Sequence, residues 1–240
     1  MARKIYKWRI AGFIIKALCT LVIAAVVILL LWRIIDSNID PREVDTITVN
    51  DKLADAYEKN DGNLEIFTQE QGKFTRGEGN YGYFAITKSI FIRDIDQIQI
   101  VFRYNNSTLK YTKEDYNLDS VPSRDDDVYD VTLTVMYDLT PDNPDDNDGK
   151  TPEAVRYERF FASDMISAKK TLYNYRKFVF DGIDLDDNVI KVFADIYYVG
   201  DIDYDKDPYG LVLIYDNKTE NLACKLTRND IDAIESYKGN

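Results

Sequence analysis

The residues best placed to do chemistry are four aspartates at alternating positions, Asp201, Asp203, Asp205 and Asp207, in the segment GDIDYDKDPYG. Carboxylates spaced this way can turn several oxygens toward one Ca²⁺, a hard cation that takes about six to eight oxygen ligands. The match to a helix-loop-helix calcium loop fails twice. The sixth position is Lys206, where glycine makes the sharp turn, and the twelfth is Val212, where a bidentate glutamate belongs. A calcium site built from loop carboxylates at one end of a β-sandwich stays compatible with the spacing. The competing expectation is a solvated loop tip, because aspartate is a favoured turn residue and acidic surfaces aid solubility. Residues 125–127, 142–149 (DNPDDNDG) and 184–188 (DLDDN) carry similar acids with less regular spacing.

Aromatic residues are the second candidate. The chain holds 18 tyrosines and 11 phenylalanines, with Tyr173, Tyr175, Tyr197, Tyr198, Tyr204, Tyr209 and Tyr215 close together. Tyrosine packs sheet cores, and it also dominates binding surfaces and sugar-stacking sites. Tyr197, Tyr198, Tyr204 and Tyr209 flank or interleave the acidic loop. They are the expected face for a protein or glycan partner, against the plainer expectation that they pack a core.

Several chemistries are excluded. The chain has no histidine, so it has no histidine general base, no Ser-His-Asp or Cys-His triad and no histidine-ligated zinc. Gly72, Gly77, Gly79 and Gly82 are followed by no helix pattern, and they read as a hairpin turn rather than a phosphate cradle. Paired carboxylates can hydrolyse glycosides, but the acids here fall in polar loops or at strand ends. No catalytic residue is assigned, and the chain is read as a non-enzyme.

The net charge of −12 is unevenly divided. Residues 1–36 carry +5 and residues 37–240 carry −17. An acidic body of that size is repelled by phosphates, so no nucleic-acid partner is expected. The basic head contains an uncharged run at residues 17–32 within a longer apolar stretch at 10–35. That stretch is long enough to span a bilayer as a helix. Lys16 and Arg33 can extend their charged ends to the two interfaces, and Trp8 and Trp32 sit near the ends where amphipathic rings prefer to be. No small-residue cleavage site follows the run, which argues for an uncleaved signal anchor over a signal peptide. Arg3, Lys4, Lys7 and Arg9 precede it, with Lys16 on the same side, whereas Asp36, Asp40, Glu43 and Asp45 follow it. The excess of basic residues places the N-terminus in the cytoplasm and residues 37–240 outside. Cys19 lies in the span and Cys224 near the far end, so the outer part has no internal disulfide. That composition suits a bacterium with a single membrane and one exported free cysteine.

These elements must carry the candidates. Residues 36–50 read as a short stalk. A helix then follows, capped by Asn50, striped by Leu53, Ala56 and Tyr57 and ended by Gly62. From residue 63 the dominant period is two. Residues 97–104, 131–137, 155–161, 175–180 and 189–199 alternate well. Segments 64–68, 83–87, 90–93 and 109–112 are shorter strand candidates. Segments 211–215 and 221–226, joined by DNKTE, read as a hairpin. Two helices interrupt the pattern: residues 163–172, which are ambiguous, and a terminal helix whose start is marked by Thr227 with Asp230.

The expected fold is mainly β: a single N-terminal transmembrane α-helix, then an extracytoplasmic antiparallel β-sandwich of immunoglobulin-like architecture with two or three short helices. The expected organisation is a cytoplasmic tail at 1–9, a signal-anchor helix at 10–35, a stalk and short helix at 36–62 and a sandwich domain at 63–240, with a possible subdivision near 140–153. The expected function is a non-catalytic protein-binding or structural module of the cell envelope. A calcium-dependent adhesin or glycan-binding module is the first alternative and an envelope hydrolase the second.

Overall fold

The computed structural model describes residues 2–70, 84–138, 155–186 and 188–239, with the backbone alone for residues 2–12, 37 and 38. The glycine-rich stretch at 72–82 and the acidic loop at 140–153 lie outside the described residues, as do the side chains of Arg3, Lys4, Lys7, Trp8 and Arg9. The chain divides into two units, Met1–Asp40 and Pro41–Asn240.

The first unit is one helix, α1 (Ala2–Asn38). Within it Phe13–Asp36, 24 residues, is long and apolar enough to cross a membrane, and its place near the N-terminus also fits a signal sequence. As a helix this segment covers about 36 Å, against a hydrocarbon core of about 30 Å. Lys16 and Trp32 lie on it, and Trp32 is exposed along with the aliphatic side chains around it.

The second unit is mainly β, with two antiparallel sheets. The strands are β1 (Ile66–Thr68), β2 (Ala85–Ile92), β3 (Gln97–Asn105), β4 (Tyr129–Asp138), β5 (Val155–Phe161), β6 (Asp164–Lys169), β7 (Tyr173–Asp181), β8 (Val189–Tyr198), β9 (Gly210–Asp216) and β10 (Leu222–Ala223). One sheet has six strands in the order β10-β1-β2-β3-β7-β6, and the other four in the order β5-β4-β8-β9. Among the described residues four short α-helices accompany them: α2 (Arg42–Asp45), α3 (Asp51–Lys59), α4 (Asn106–Asp115) and α5 (Arg228–Lys238). Alternation explains the core. Ile98, Ile100 and Phe102 from β3, with Phe178 and Phe180 from β7, join Val131, Leu133 and Val135 from β4, Val192, Ala194 and Ile196 from β8, and Val212 and Ile214 from β9 in one buried cluster. Strands β4 and β5 pair directly, from Thr132 opposite Phe161 to Asp138 opposite Val155.

Four expectations differ from the structure. Residues 109–112 belong to helix α4, not a strand. The Asn105 side chain accepts from the backbone of Ser107 and Thr108, and Thr108, Leu109 and Thr112 form its buried side. Residues 164–169 are strand β6, because they pair with β7 along their whole length. Of segments 83–87 and 90–93, residues 85–87 and 90–92 belong to one strand, β2, with a bulge between Ile86 and Lys88. Strands β9 and β10 do not form a hairpin: β9 pairs with β8 in one sheet and β10 with β1 in the other. The buried Gln69 side chain holds the intervening turn. Its Oε1 accepts from Asp216 N at 2.8 Å, and its Nε2 donates to Asp216 O, Thr219 O and Asn221 Oδ1 at 3.0, 3.2 and 2.7 Å.

Part of the expected stalk is packed. Residues 41–50 lie across the outer face of the six-stranded sheet, with Val44 and Ile47 buried. Val44 packs with Val101 and Tyr175, and Ile47 with Leu53, Ile90, Ile92 and Ile234. The strap's backbone is matched by sheet and helix side chains. Gln99 Oε1 accepts from Thr48 N at 2.8 Å and Gln99 Nε2 donates to Thr48 O at 2.9 Å. Lys88 Nζ donates to Asp45 O, Lys177 Nζ donates to Thr46 O, and Asp230 Oδ1 accepts from Ile47 N. Helices α3 and α5 begin where expected, with Asn50 accepting from Leu53 N and Thr227 forming a capping box with Asp230.

Candidate functional site

The outer face of the four-stranded sheet is built from the alternate set of side chains. The register places Phe161, Thr132, Asp195 and Leu211 in one row across β5, β4, β8 and β9. Arg159, Thr134, Phe193 and Leu213 form the next row, and Tyr157 and Met136 continue the face along β5 and β4. The acidic loop folds over this face. Thr134, Arg159, Asp195, Tyr197, Tyr204 and Leu211, with loop residues 205–209, line an open cavity of about 450 Å³.

Local interactions of the loop fix its position. Asp203 begins a turn: its Oδ1 accepts from Asp205 N at 3.1 Å and its carbonyl from Lys206 N at 3.1 Å. The Lys206 ammonium pairs with Asp203 Oδ2 at 3.2 Å. That contact holds the Asp203 carboxyl below the usual range and lifts the Lys206 ammonium above its own. Tyr204 staples the loop to the sheet. Its hydroxyl donates to Asp130 Oδ2 at 2.6 Å, and its ring meets Tyr197 and Phe161 edge-on with centroids 5.0 and 5.1 Å apart. Arg159 Nη1 donates to Tyr204 O at 2.5 Å, and the guanidinium lies 5.9 Å from the same ring. Desolvation, aided by the acceptor Asp130, pushes the Tyr204 hydroxyl up to about 12.

Asp195 forms the floor of the cavity and is only 4 % exposed. Thr134 Oγ1 donates to its Oδ2, and no hydrogen bond to Oδ1 is described. Burial pushes its carboxyl up to about 6, opposed by the Thr134 hydrogen bond and the Arg159 charge. Beside it, the hydroxyls of Thr132 and Tyr197 are buried without a hydrogen bond of ordinary geometry.

The structure separates the residues that the sequence grouped. Tyr197 and Tyr204 come together on the outer face. Tyr198 turns to Tyr116, 4.7 Å between centroids. Tyr209 contributes to the cavity wall but is buried mainly against Tyr129, Phe84 and Tyr116, with its hydroxyl donating to Asp115 Oδ2 at 2.9 Å. Of the four aspartates, Asp205 and Asp207 line the cavity rim, Asp203 is engaged by Lys206, and Asp201 sits exposed in a 3-10 turn. Among the described residues no group of three or more His, Cys, Asp or Glu is placed to hold a metal ion. Sequence reasoning missed Asp195, Arg159, Tyr157 and Phe161. A signal for the first was present: it is the only charge between Phe193 and Tyr197 in an otherwise apolar and aromatic strand.

No family model, no curated protein and no solved structure matches this chain.

Proposed function

We propose that this chain is a single-pass membrane protein of a bacterial envelope whose outer part is a non-catalytic protein-binding module. The signal-anchor reading places the N-terminus in the cytoplasm, supported by Arg3, Lys4, Lys7, Arg9 and Lys16 ahead of the apolar segment and by the acids that follow it. Two antiparallel sheets contributing to one buried cluster support a β-sandwich of immunoglobulin-like architecture for the outer part.

The observation that carries the binding function is the asymmetry of the two outer sheet faces. The six-stranded sheet is roofed by the chain's own strap, α3 and α5. The four-stranded sheet displays Tyr157 and Phe161, 62 % and 56 % exposed, beside Arg159 and the cavity over Asp195. Exposed aromatics clustered with an arginine are the side chains that anchor protein interfaces.

The test is site-specific photo-crosslinking of the full-length chain in its native membrane. A photoreactive residue at position 157 or 161 should give one discrete envelope protein, and one at the exposed turn residue Asn217 should not. No adduct, or the same adducts from all three positions, would refute the proposal.

A further inference from the structure

We infer that the cavity over Asp195 is a subsite for a basic side chain, a lysine or arginine presented by the protein that docks on this face. The inference rests on the protein-binding reading and names the chemistry of the partner.

Three features favour a cation. The first is the floor. Asp195 is almost wholly withdrawn from water yet receives one described hydrogen bond, from Thr134 to Oδ2. A desolvated carboxylate with unused acceptor capacity gains most from a charged donor. The second is the wall. The rings of Tyr197 and Tyr204, packed edge to face, line the same cavity as the carboxylate. Aromatic rings beside an acid suit an ammonium or guanidinium on an aliphatic stem, which buries its methylenes and places its charge against the rings and the carboxylate.

The third is the charge balance. Arg159 from β5 is the basic group nearest Asp195, but its Nη1 is committed to the Tyr204 carbonyl and no ion pair joins it to Asp195 among the described residues. Lys206 is paired with Asp203. Asp205 and Asp207 on the rim therefore add to Asp195 on β8, within a body carrying −17 over residues 37–240. Such a field draws a basic segment toward the cavity and repels an acidic one. A volume of about 450 Å³ admits a long side chain together with water.

The test is NMR titration of the full-length chain in detergent micelles, following the backbone amides of Ala194, Asp195, Ile196 and Asp205. The probes are acetyl-Gly-Lys-Gly-amide, its norleucine counterpart and N-acetylglucosamine. The lysine peptide should give saturable shifts at millimolar concentration and the norleucine peptide should not. Raising the pH from 5 to 7 should strengthen lysine binding as the Asp195 carboxyl ionises in the presence of Arg159, Thr134, Tyr197, Tyr204 and the rim acids. Asp195→Asn should weaken binding about tenfold or more.

No saturable response to the lysine peptide, equal binding of the norleucine peptide, a response to N-acetylglucosamine alone, or undiminished lysine binding in Asp195→Asn would overturn the subsite. Crosslinking from position 157 decides the protein-binding reading separately, so the two can fail independently.

Discussion

Lys177 gives the sharpest test of how the strap is held. It is fully buried in the outer face of the six-stranded sheet, under the strap, with its ammonium donating to the Thr46 carbonyl. Desolvation, and then repulsion from Lys88, push its pKa down from 10.5 to about 7, against weaker attraction from Asp230, Asp45 and Asp164. Between those two values the unfolded chain binds one proton more than the folded chain, so stability rises with pH across that window and is flat below it. The slope approaches about 1.4 kcal/mol per pH unit above the folded pKa, which integrates to about 2 kcal/mol between pH 7 and pH 9. Lys177→Met removes the buried charge but orphans the Thr46 carbonyl, which costs about 1–3 kcal/mol. The variant should be more stable than the wild type by about 2 kcal/mol at pH 7, with the gain vanishing near pH 9. The assay is urea unfolding of the full-length chain in micelles, followed by near-ultraviolet tyrosine dichroism, because both tryptophans lie in α1. A wild type whose stability is flat from pH 7 to 9, or a variant that loses stability equally at both, would refute the reasoning.

Three further substitutions probe the other long-range ties. Gln69→Leu removes the four side-chain hydrogen bonds that Gln69 makes to the turn between β9 and β10; it should lower stability by about 2–4 kcal/mol and raise hydrogen exchange in residues 216–223, and unchanged exchange there would contradict the clamp. Asp230→Ala loses both the α5 capping box and the acceptor for Ile47 N; a cost of about 2–3 kcal/mol is expected in urea unfolding, whereas a cost near 1 kcal/mol would mean the strap contact contributes nothing. Tyr204→Phe loses only the hydroxyl bond to Asp130; it should cost about 1 kcal/mol and raise hydrogen exchange in residues 201–207 while leaving the rest of the four-stranded sheet protected.

What the sequence made legible was local. Asn50, and Thr227 with Asp230, cap helices by bonding backbone groups within three residues, and both helices start as expected. Strands β3, β4, β5, β7, β8 and β9 alternate because one side faces a core, and alternation can be read from one chain. The failures share a cause in distant partners. DNKTE has the chemistry of a hairpin turn, but Gln69, 147 positions before Asp216, takes over its backbone and sends β10 to the other sheet. Residues 164–169 have weak strand character and become one by pairing with β7. Residues 109–112 carry a plausible strand run, yet Asn105 starts a helix whose Thr112 hydroxyl meets the Tyr129 hydroxyl at 2.5 Å in the core. The site shows the same division. Tyr197 and Asp195 share a face by period alone, but Arg159 and Thr134 join them only through the register of three strands.

The strap explains why the two outer faces differ. Its sequence, DPREVDTITVN, reads as stalk because its polar residues outnumber its apolar ones. The sheet beneath reads equally as a wet face, since β3 presents Gln97 and Gln99 while β2 and β7 present Lys88 and Lys177. Neither polar set meets water in full. Gln99 pairs both ways with Thr48, and the two lysines donate to the carbonyls of Asp45 and Thr46. Val44 and Ile47 fill the apolar gaps between them. Side-chain amides and ammonium groups on this sheet thus bind a backbone of the same chain, which covers part of that face. The four-stranded sheet carries exposed aromatic side chains and a half-satisfied acid instead, and the proposed docking of another protein rests on that difference.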